Sequence, residues 1–180
     1  MTEEEIKYSI ETGELKISNW DKFSHYGIVG FLLIIPTMFL FFHIKDYLQG
    51  TPKPMKEGEI WFIIVPVILG YLFYRLQKKR LAFKSIETSL TREQLNSIFE
   101  NVAHKLEWHQ YLNNEKVIIA KTFPSFFSGS WGEQITILFD KNRLLINSIC
   151  DPDKKSSVVS MGRNKKNIDT LIEEIKKASL

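Results

Sequence analysis

The chain has 180 residues and a formal net charge of +3 at pH 7, and 25% of its residues are charged. So small a positive charge argues against a nucleic-acid partner, because such binding depends on many Lys and Arg contacts to phosphate. The single cysteine, Cys150, excludes an internal disulfide and any metal site built from several cysteines.

The N-terminal segment, residues 1–25, alternates apolar and polar residues on both sides of the Thr12-Gly13 pair. The apolar positions are Ile6, Tyr8, Ile10, Leu15 and Ile17. Alternation with a period of two around a turn predicts a β-hairpin, which would join the sheet of the C-terminal domain. The alternative is an interfacial helix whose Trp20 and Phe23 enter the lipid headgroups.

Two apolar stretches without a charged residue follow, from Tyr26 to Ile44 and from Ile60 to Tyr74. A bilayer core about 30 Å thick is crossed by about 20 apolar residues in a helix. The second stretch approaches that length when Arg75 snorkels toward the headgroups. We therefore predict a transmembrane helical hairpin of residues 26–44 and 60–76, joined by an external loop of residues 45–59.

Two buried helices of a soluble domain are the alternative to this hairpin. Such helices seldom lack a polar stripe, and three of the four residues from Phe39 to Phe42 are aromatic. Pro36 and Pro66 lie inside the predicted spans, where each removes a backbone hydrogen bond and kinks the helix. The kinks serve either packing or motion, and Thr37 lies close enough in sequence to satisfy a freed carbonyl.

Basic residues are distributed unevenly around the predicted spans. Eight lie on the side of the two termini and three in the loop: Lys7, Lys16, Lys22, Arg75, Lys78, Lys79, Arg80 and Lys84 against Lys45, Lys53 and Lys56. The positive-inside rule therefore predicts that both termini are cytoplasmic. Arg75, Lys78, Lys79 and Arg80 form a basic cluster beside the membrane, where each cation gains about 1 kcal/mol from anionic lipid. This cluster is either a topology anchor or a lipid contact.

Residues 81–180 are sufficient for one small cytoplasmic domain. Thr91 to Gln94 has the sequence of a helix capping box, and apolar residues follow it at helical spacing, at Leu95, Ile98, Phe99, Val102 and Leu106. Apolar runs predict two β-hairpins, in 108–121 and 134–149, and a further strand at 158–161. A final helix is predicted from Ile168, Leu171, Ile172 and Ile175.

This order of elements predicts an α+β domain with an antiparallel sheet of four or five strands and helices on one face. The predicted fold of the chain is thus a membrane α-helical hairpin plus a small cytoplasmic α+β domain. That architecture is similar to that of many bacterial membrane proteins, so we expect the bacterial inner membrane as its location. The similarity rests on no motif and implies no function.

The sequence carries no motif of the P-loop, dinucleotide-binding, serine-hydrolase or zinc-protease kind. His104 and His109 have no further metal ligands at a suitable spacing. Cys150 is more simply a buried strand residue than a nucleophile. We therefore predict no cofactor, no metal and no catalytic residue.

One segment with the composition of a turn carries four aromatic residues, Phe123, Phe126, Phe127 and Trp131. We call residues 123–131 the aromatic loop. Exposed aromatic side chains cost free energy and are common at binding surfaces. The loop therefore either caps the core of the domain or contacts a partner or the membrane. A second candidate is Arg163-Asn-Lys-Lys166, as an anion site at a helix N-terminus or as a solvated basic face.

These patterns predict an integral membrane protein whose cytoplasmic domain acts as a non-catalytic binding or accessory subunit. Its expected partners are the lipid bilayer and either another protein or further copies of the chain. Two alternatives stay open. One is a membrane sensor or transport-complex component in which the Pro-kinked hairpin moves, and the other is a membrane-tethered enzyme with an unfamiliar site.

Overall fold

The computed structural model describes residues 1–125, 128–154 and 160–179. Within them the chain forms five α-helices and five β-strands. In chain order they are α1 (Glu3–Thr12), α2 (Asn19–Leu48), α3 (Trp61–Arg80), β1 (Lys84–Glu87), α4 (Arg92–Leu106), β2 (Trp108–Asn113), β3 (Val117–Thr122), β4 (Glu133–Asp140), β5 (Arg143–Cys150) and α5 (Arg163–Ala178).

The five strands form one antiparallel sheet in the order β1-β5-β4-β3-β2. Glu133 at the start of β4 pairs with Cys150 at the end of β5, and Thr122 at the end of β3 pairs with Trp108. The aromatic loop and the segment after β5 therefore leave the sheet at the same end, which we call the loop end. The opposite end, the turn end, carries the short turns β2–β3 and β4–β5.

Helices α4 and α5 cover one face of the sheet, as predicted. Their apolar stripes meet alternate residues of β3, β4 and β5 in a core that includes Leu95, Phe99, Val102, Ile118, Ile135, Ile137, Ile146, Leu171 and Ile175. The N-cap of α4 is the predicted capping box, with Thr91 and Gln94 bonded reciprocally. Burying side chains of this size stabilises the fold by about 1.5–3 kcal/mol each.

The prediction that helices lie on only one face is wrong, because α1 covers the other face. Ile6 of α1 packs on Val117, Ile119, Leu138 and Leu145. Farther along the same face, Leu15, Ile17, Leu81 and Ile149 form a smaller cluster. The central strands are thus buried on both sides.

The predicted N-terminal β-hairpin is also wrong, since residues 3–12 form α1. Its N-terminus is a capping box in which Thr2 and Glu5 bond reciprocally, and Gly13 ends it in the left-handed conformation at φ 69°. Ile6 and Ile10 fit this helix because residues four apart share a helical face as well as a strand face. The segment still joins the domain, through α1 and a single antiparallel bridge between Glu14 and Ala82.

Helices α2 and α3 pack side by side as an antiparallel helical hairpin. The rings of Tyr26 and Tyr74 lie 5.5 Å apart. Leu33 Cδ2 is 3.5 Å from the position of a Cβ on Gly70, so a small residue on α3 lets the helices approach here. Trp20 and Phe23 belong to the first turns of α2 and are not part of a separate interfacial helix.

Among the residues that the structure describes, α2 is the one helix with the length and apolar composition to cross a membrane. It begins at Asn19 and ends at Leu48, beyond both limits of the predicted 26–44 span. Helix α3 is shorter and ends in Lys78, Lys79 and Arg80. The second span therefore stays a prediction.

Both prolines lie inside helices, Pro36 in α2 and Pro66 in α3. The hydroxyl of Thr37 donates to the carbonyl oxygen of Leu33 at 2.7 Å. That carbonyl belongs to the residue four before Thr37, whereas Pro36 frees the carbonyl of Leu32. Thr37 thus does not satisfy the carbonyl that Pro36 leaves open.

Strand β1 lies at the edge of the sheet, where it pairs with β5. This strand was not predicted from the sequence. Lys84–Glu87 contains one apolar residue, Ile86, and so has no strand pattern. The predicted strand at 158–161 falls partly on Val158 and Val159, which lie outside the described residues. Ser160 and Met161 are not in a strand.

Candidate functional site

A reciprocal pair of hydrogen bonds joins the first turns of α2 to the last turns of α3. Gln77 Nε2 donates to the carbonyl oxygen of His25 at 2.6 Å, and His25 Nε2 lies 3.0 Å from the carbonyl oxygen of Gln77. Both side chains are buried. Buried polar groups are stable only when bonded in this way, so the pair fixes how the two helices sit at this level. We call it the His25–Gln77 bracket.

Asn147 of β5 holds the chain just after α3. Its Nδ2 donates to the carbonyl oxygens of Arg80 and Ala82 at 2.8 and 2.9 Å. From there β1 starts opposite Ile146 and runs toward Arg143, which is at the turn end. Since β1 runs away from the loop end, α3 must reach the sheet from the loop end.

A second contact ties α2 to the same end of the sheet. Ser24 Oγ donates to the carbonyl oxygen of Lys154 at 3.3 Å. Lys154 follows β5, and Ser24 stands two residues before the apolar stretch that begins at Tyr26. The loop end of the sheet is therefore the end that lies against the helical hairpin.

Glu133, the first residue of β4, ties together the two ends of the aromatic loop. Its carboxylate is fully buried and accepts hydrogen bonds from the hydroxyls of Thr122 and Ser130. It also accepts from Arg163 Nε at 2.9 Å, which brings in the first residue of α5. Such charge-assisted bonds are about twice as strong as neutral ones. The enclosed carboxylate therefore holds the two ends of the loop together.

The two described aromatic side chains of the loop present much of their surface to the outside of the domain. Phe123 is 57% exposed and Trp131 is 45% exposed. The ring of His109 lies 5.1 Å from that of Phe123, and Lys154 Nζ lies 5.1 Å from the centre of the Phe123 ring. Phe126 and Phe127, the other two predicted contact residues, lie outside the described residues.

Met161, just before α5, adds a further exposed apolar side chain to the loop end. It is 68% exposed, and its Cγ lies 2.9 Å from the position of a Cβ on Gly129. Gly129 also has φ +72°, a conformation that L side chains rarely adopt. Glycine at this position therefore lets Met161 lie across the aromatic loop.

The predicted basic cluster is divided in the structure. Arg75, Lys78 and Lys79 are exposed, while Arg80 is half-buried. Arg80 Nη1 donates to Gln77 Oε1 at 3.1 Å and so supports the bracket. Three of the four residues are therefore exposed, and the fourth has a structural role.

The predicted basic segment at the start of α5 is divided in the same way. Arg163 pairs with buried Glu133, whereas Lys166 lines an open cavity of about 610 Å³ together with Lys105. Gly162 precedes the helix, which has no side-chain cap. The segment thus contributes one exposed cation to this cavity and does not act as a four-residue unit.

Lys121, near the end of β3, forms an ion-pair cluster at the loop end. Its ammonium contacts the carboxylates of Asp151, at 3.0 Å, and Asp153. Burial alone lowers the pKa of Lys121, but the hydrogen bonds and charges of Asp153 and Asp151 outweigh it, so the pKa is raised. The cluster ties the segment after β5 to the sheet.

The bracket, Asn147 and the Glu133 cluster were missed in the sequence. The bracket joins residues 52 apart, and Glu133 meets Arg163 from 30 residues away. The one available signal was local: His25 and Gln77 are polar residues just outside apolar stretches. Nothing in the sequence indicates which partner each would take.

Among the described residues, no group of three or more His, Cys, Asp or Glu is placed to hold a metal ion. Comparisons with protein-family models, with curated proteins and with solved structures found no match.

Proposed function

We propose that the chain is a two-span integral membrane protein that acts, through its cytoplasmic domain, as a non-catalytic binding or accessory subunit. The observation that carries the proposal is the outward-facing apolar surface of both helices. Soluble monomers rarely expose an apolar patch beyond about 300–600 Å². Here the exposed residues include Phe31, Ile34, Ile35, Met38, Phe41, Phe42 and Ile44 on α2 and Trp61, Phe62, Val65, Val67, Ile68, Leu69 and Leu72 on α3.

The second span is supported by where α3 packs. Gly70, within the apolar part of α3, lies against Val29 and Leu33 of α2. A helix packed beside a membrane-crossing helix at this depth occupies the same hydrocarbon layer. Water is absent from that layer, and a helix such as α3 satisfies its backbone groups internally apart from the carbonyl that Pro66 frees.

The orientation is supported by the positive-inside rule. Eight basic residues lie on the side of the termini and three in the loop between the spans. We therefore propose that the α+β domain lies in the cytoplasm and residues 45–59 outside, with a bacterial inner membrane as the location.

The non-catalytic role is supported by the state of the buried acid and of the aromatic loop. Glu133 is enclosed by three donors, so the most deeply buried carboxylate at the loop end is committed to structure. Phe123 and Trp131 instead offer apolar surface for a contact outside the domain. Aromatic residues of this kind often dominate the binding energy of interfaces. The domain therefore works by contact, with the aromatic loop as its contact surface.

Topology is tested with cysteines introduced at Met55, in the external loop, and at Glu115, at the turn end of the domain. A membrane-impermeant maleimide added to intact cells should label Met55→Cys and leave Glu115→Cys unlabelled until the cells are permeabilised. Labelling of Glu115→Cys in intact cells would overturn the orientation. Both residues are exposed, so lack of access cannot come from burial.

The accessory role is tested by cross-linking the full-length chain in native membranes before extraction into mild detergent. We expect a discrete adduct, either with a second protein or with another copy of the chain. A chain that stays strictly monomeric and carries no adduct would contradict the role while leaving the topology intact.

A moving hairpin is the second candidate function, and the contacts between α2, α3 and the sheet favour it. Arg80 is hydrogen-bonded both to Gln77 of the bracket and to Asn147 of the sheet, and Ser24 is hydrogen-bonded to Lys154. A change in the tilt of α2 or α3 at the His25–Gln77 bracket would therefore shift groups that are bonded to the sheet. If the Pro36 kink serves motion, Pro36→Ala should change hydrogen exchange in residues 151–154. A kink used only for packing leaves that exchange as in the parent protein.

A further inference from the structure

The depth of Ser24 gives the level of the loop end relative to the membrane. The apolar stretch of α2 begins at Tyr26, so Ser24 lies about 3 Å outside the hydrocarbon core at about 1.5 Å rise per residue. The headgroup layer is about 5–7 Å thick on each side of that core. Because Ser24 bonds the carbonyl of Lys154, that carbonyl also lies at headgroup level.

The same contact also gives the level of the aromatic loop relative to the membrane. Lys154 reaches over the ring of Phe123, which is therefore within one lysine side chain of the headgroup level. Within about one helical turn of Ser24 on α2, on its water side, the stacked rings of Trp20 and Phe23 lie 5.8 Å apart and are 75% and 72% exposed. Aromatic rings of this kind are enriched at the membrane–water interface. The exposed aromatics of two separate segments thus lie within about one helical turn of the level of Ser24.

The charges at the loop end favour anionic lipid as the partner. Exposed cations there are Lys22, Lys78, Lys79, Lys154 and Lys166. The acids Asp151 and Asp153 are engaged by Lys121, and Asp21 caps α2. Of the described acids near these cations, Asp153 is exposed although paired, Glu14 is half-buried beside Lys78 and Lys79, and Glu107 is exposed beside the cavity near α5. The excess of cations complements the negative surface of a cytoplasmic leaflet.

We propose that the loop end of the sheet lies in the headgroup layer of the membrane that α2 crosses, with Phe123, Trp131 and Met161 as its inserted side chains. This inference rests on the proposed function, because it requires the helical hairpin to span the bilayer. The aromatic loop then contacts lipid headgroups, including anionic ones. The domain is then held in one orientation by α2, by α3 and by the aromatic loop.

The test places the photoreactive residue p-benzoylphenylalanine at one of four positions in the full-length protein. Phe123 and Trp131 report on the loop end, Glu115 is the matched control at the turn end, and Phe41 reports on the first span. Each protein is irradiated in native membranes and in vesicles of phosphatidylcholine with phosphatidylglycerol. Adducts are identified by mass.

We expect lipid adducts at Phe41, Phe123 and Trp131, and several-fold fewer at Glu115. Adducts at Phe41 with none at Phe123 and Trp131 would overturn this inference and leave the two-span topology standing. Protein adducts at Phe123 and Trp131 in native membranes, in place of lipid, would overturn it in favour of a protein partner. Absence of lipid adducts at Phe41 would instead contradict the proposed function itself.

Discussion

The two ends of the sheet differ in the length and polarity of the segments that connect the strands. At the turn end the connections are short and polar, with Asn113, Asn114 and Glu115 in one turn and Asp140, Lys141 and Asn142 in the other. At the loop end the connections are longer and carry Phe123, Trp131 and Met161, all exposed. The same strands therefore present a polar end and an apolar end.

What separates the two ends is their attachment to the helical hairpin. Ser24 of α2 is hydrogen-bonded to the loop end directly. Asn147 holds the chain that leaves α3 through two hydrogen bonds, and β1 then runs toward the turn end. Exposed apolar side chains are unfavourable in water but stable in a headgroup layer. In the proposed topology, the composition of each loop therefore follows its distance from the membrane as well as its place in the fold.

The largest expected difference between the ends comes from their carboxylate–arginine pairs. Glu133→Ala at the loop end leaves Arg163 without its buried partner and should lower the free energy of unfolding by about 3–5 kcal/mol. Asp140→Ala at the turn end removes a more exposed pair with Arg143 and should cost about 1 kcal/mol or less. Denaturant titration of the full-length protein in nanodiscs measures both. Equal losses would show that the Glu133 cluster does not hold the loop end.

A smaller difference is expected between two asparagines. Asn147→Ala removes two bonds to the carbonyls of Arg80 and Ala82 and should cost about 1–3 kcal/mol, because those groups are left unsatisfied. Asn114→Ala, in the exposed turn, removes bonds from the amides of Lys116 and Val117 and should cost about 1 kcal/mol. The same titration compares them. A larger loss for Asn114→Ala would contradict the role of Asn147 in holding the end of α3 to the sheet.

The pH dependence of stability should also distinguish the ends. The pKa of Lys121 is raised in the folded state, so its contribution is complete below the ordinary lysine pKa of about 10.4 and is lost as pH rises through the raised value. Lys121→Arg keeps the charge over this range and should remove that loss. Thermal unfolding at about pH 9 and about pH 11 measures the difference. An unchanged pH profile in Lys121→Arg would contradict this.

The smallest expected effect on stability is that of Phe123→Ala. More than half of this side chain is exposed, so we expect a loss of about 1 kcal/mol or less. Phe99→Ala is the matched control, because Phe99 is 2% exposed in the core and should cost about 3–5 kcal/mol. Chemical unfolding in detergent, without a bilayer, gives both values. A cost for Phe123→Ala near that of Phe99→Ala would mean that the loop serves the core.

Much of the C-terminal fold could be predicted because its signals are local. The α4 capping box and the apolar stripes of α4 and α5 each lie within one element, and the hairpins β2–β3 and β4–β5 are bounded by turn residues. The same kind of signal, Thr2 with Glu5, marks α1. It was overlooked because Ile6, Tyr8 and Ile10 also alternate as in a strand.

The burial of both sheet faces also had a signal in the sequence. Val117–Ala120 in β3 and Leu144–Ile146 in β5 are continuous apolar runs without polar alternation. A strand with one face in water alternates, whereas a strand covered on both faces is apolar throughout. These runs therefore predict a second covering layer, which α1 provides.

The candidate site could be predicted only in part. The aromatic composition of the loop is visible in the sequence, but its direction depends on Ser24 meeting Lys154, which are 130 residues apart. The same holds for His25 with Gln77. Contacts at such separations follow from how the helices and the sheet pack, and a single sequence carries no pattern for them.

The most direct test of the account measures the depth of the two ends of the sheet. A nitroxide is attached to Trp131→Cys or Glu115→Cys in the full-length protein in nanodiscs, with the parent protein, whose Cys150 is buried, as the labelling control. We expect that oxygen enhances the spin relaxation of the label at position 131 more than a water-soluble nickel chelate does. At position 115 we expect the nickel chelate to have the larger effect. Two labels with the same aqueous accessibility would contradict the claim that the loop end lies in the membrane interface.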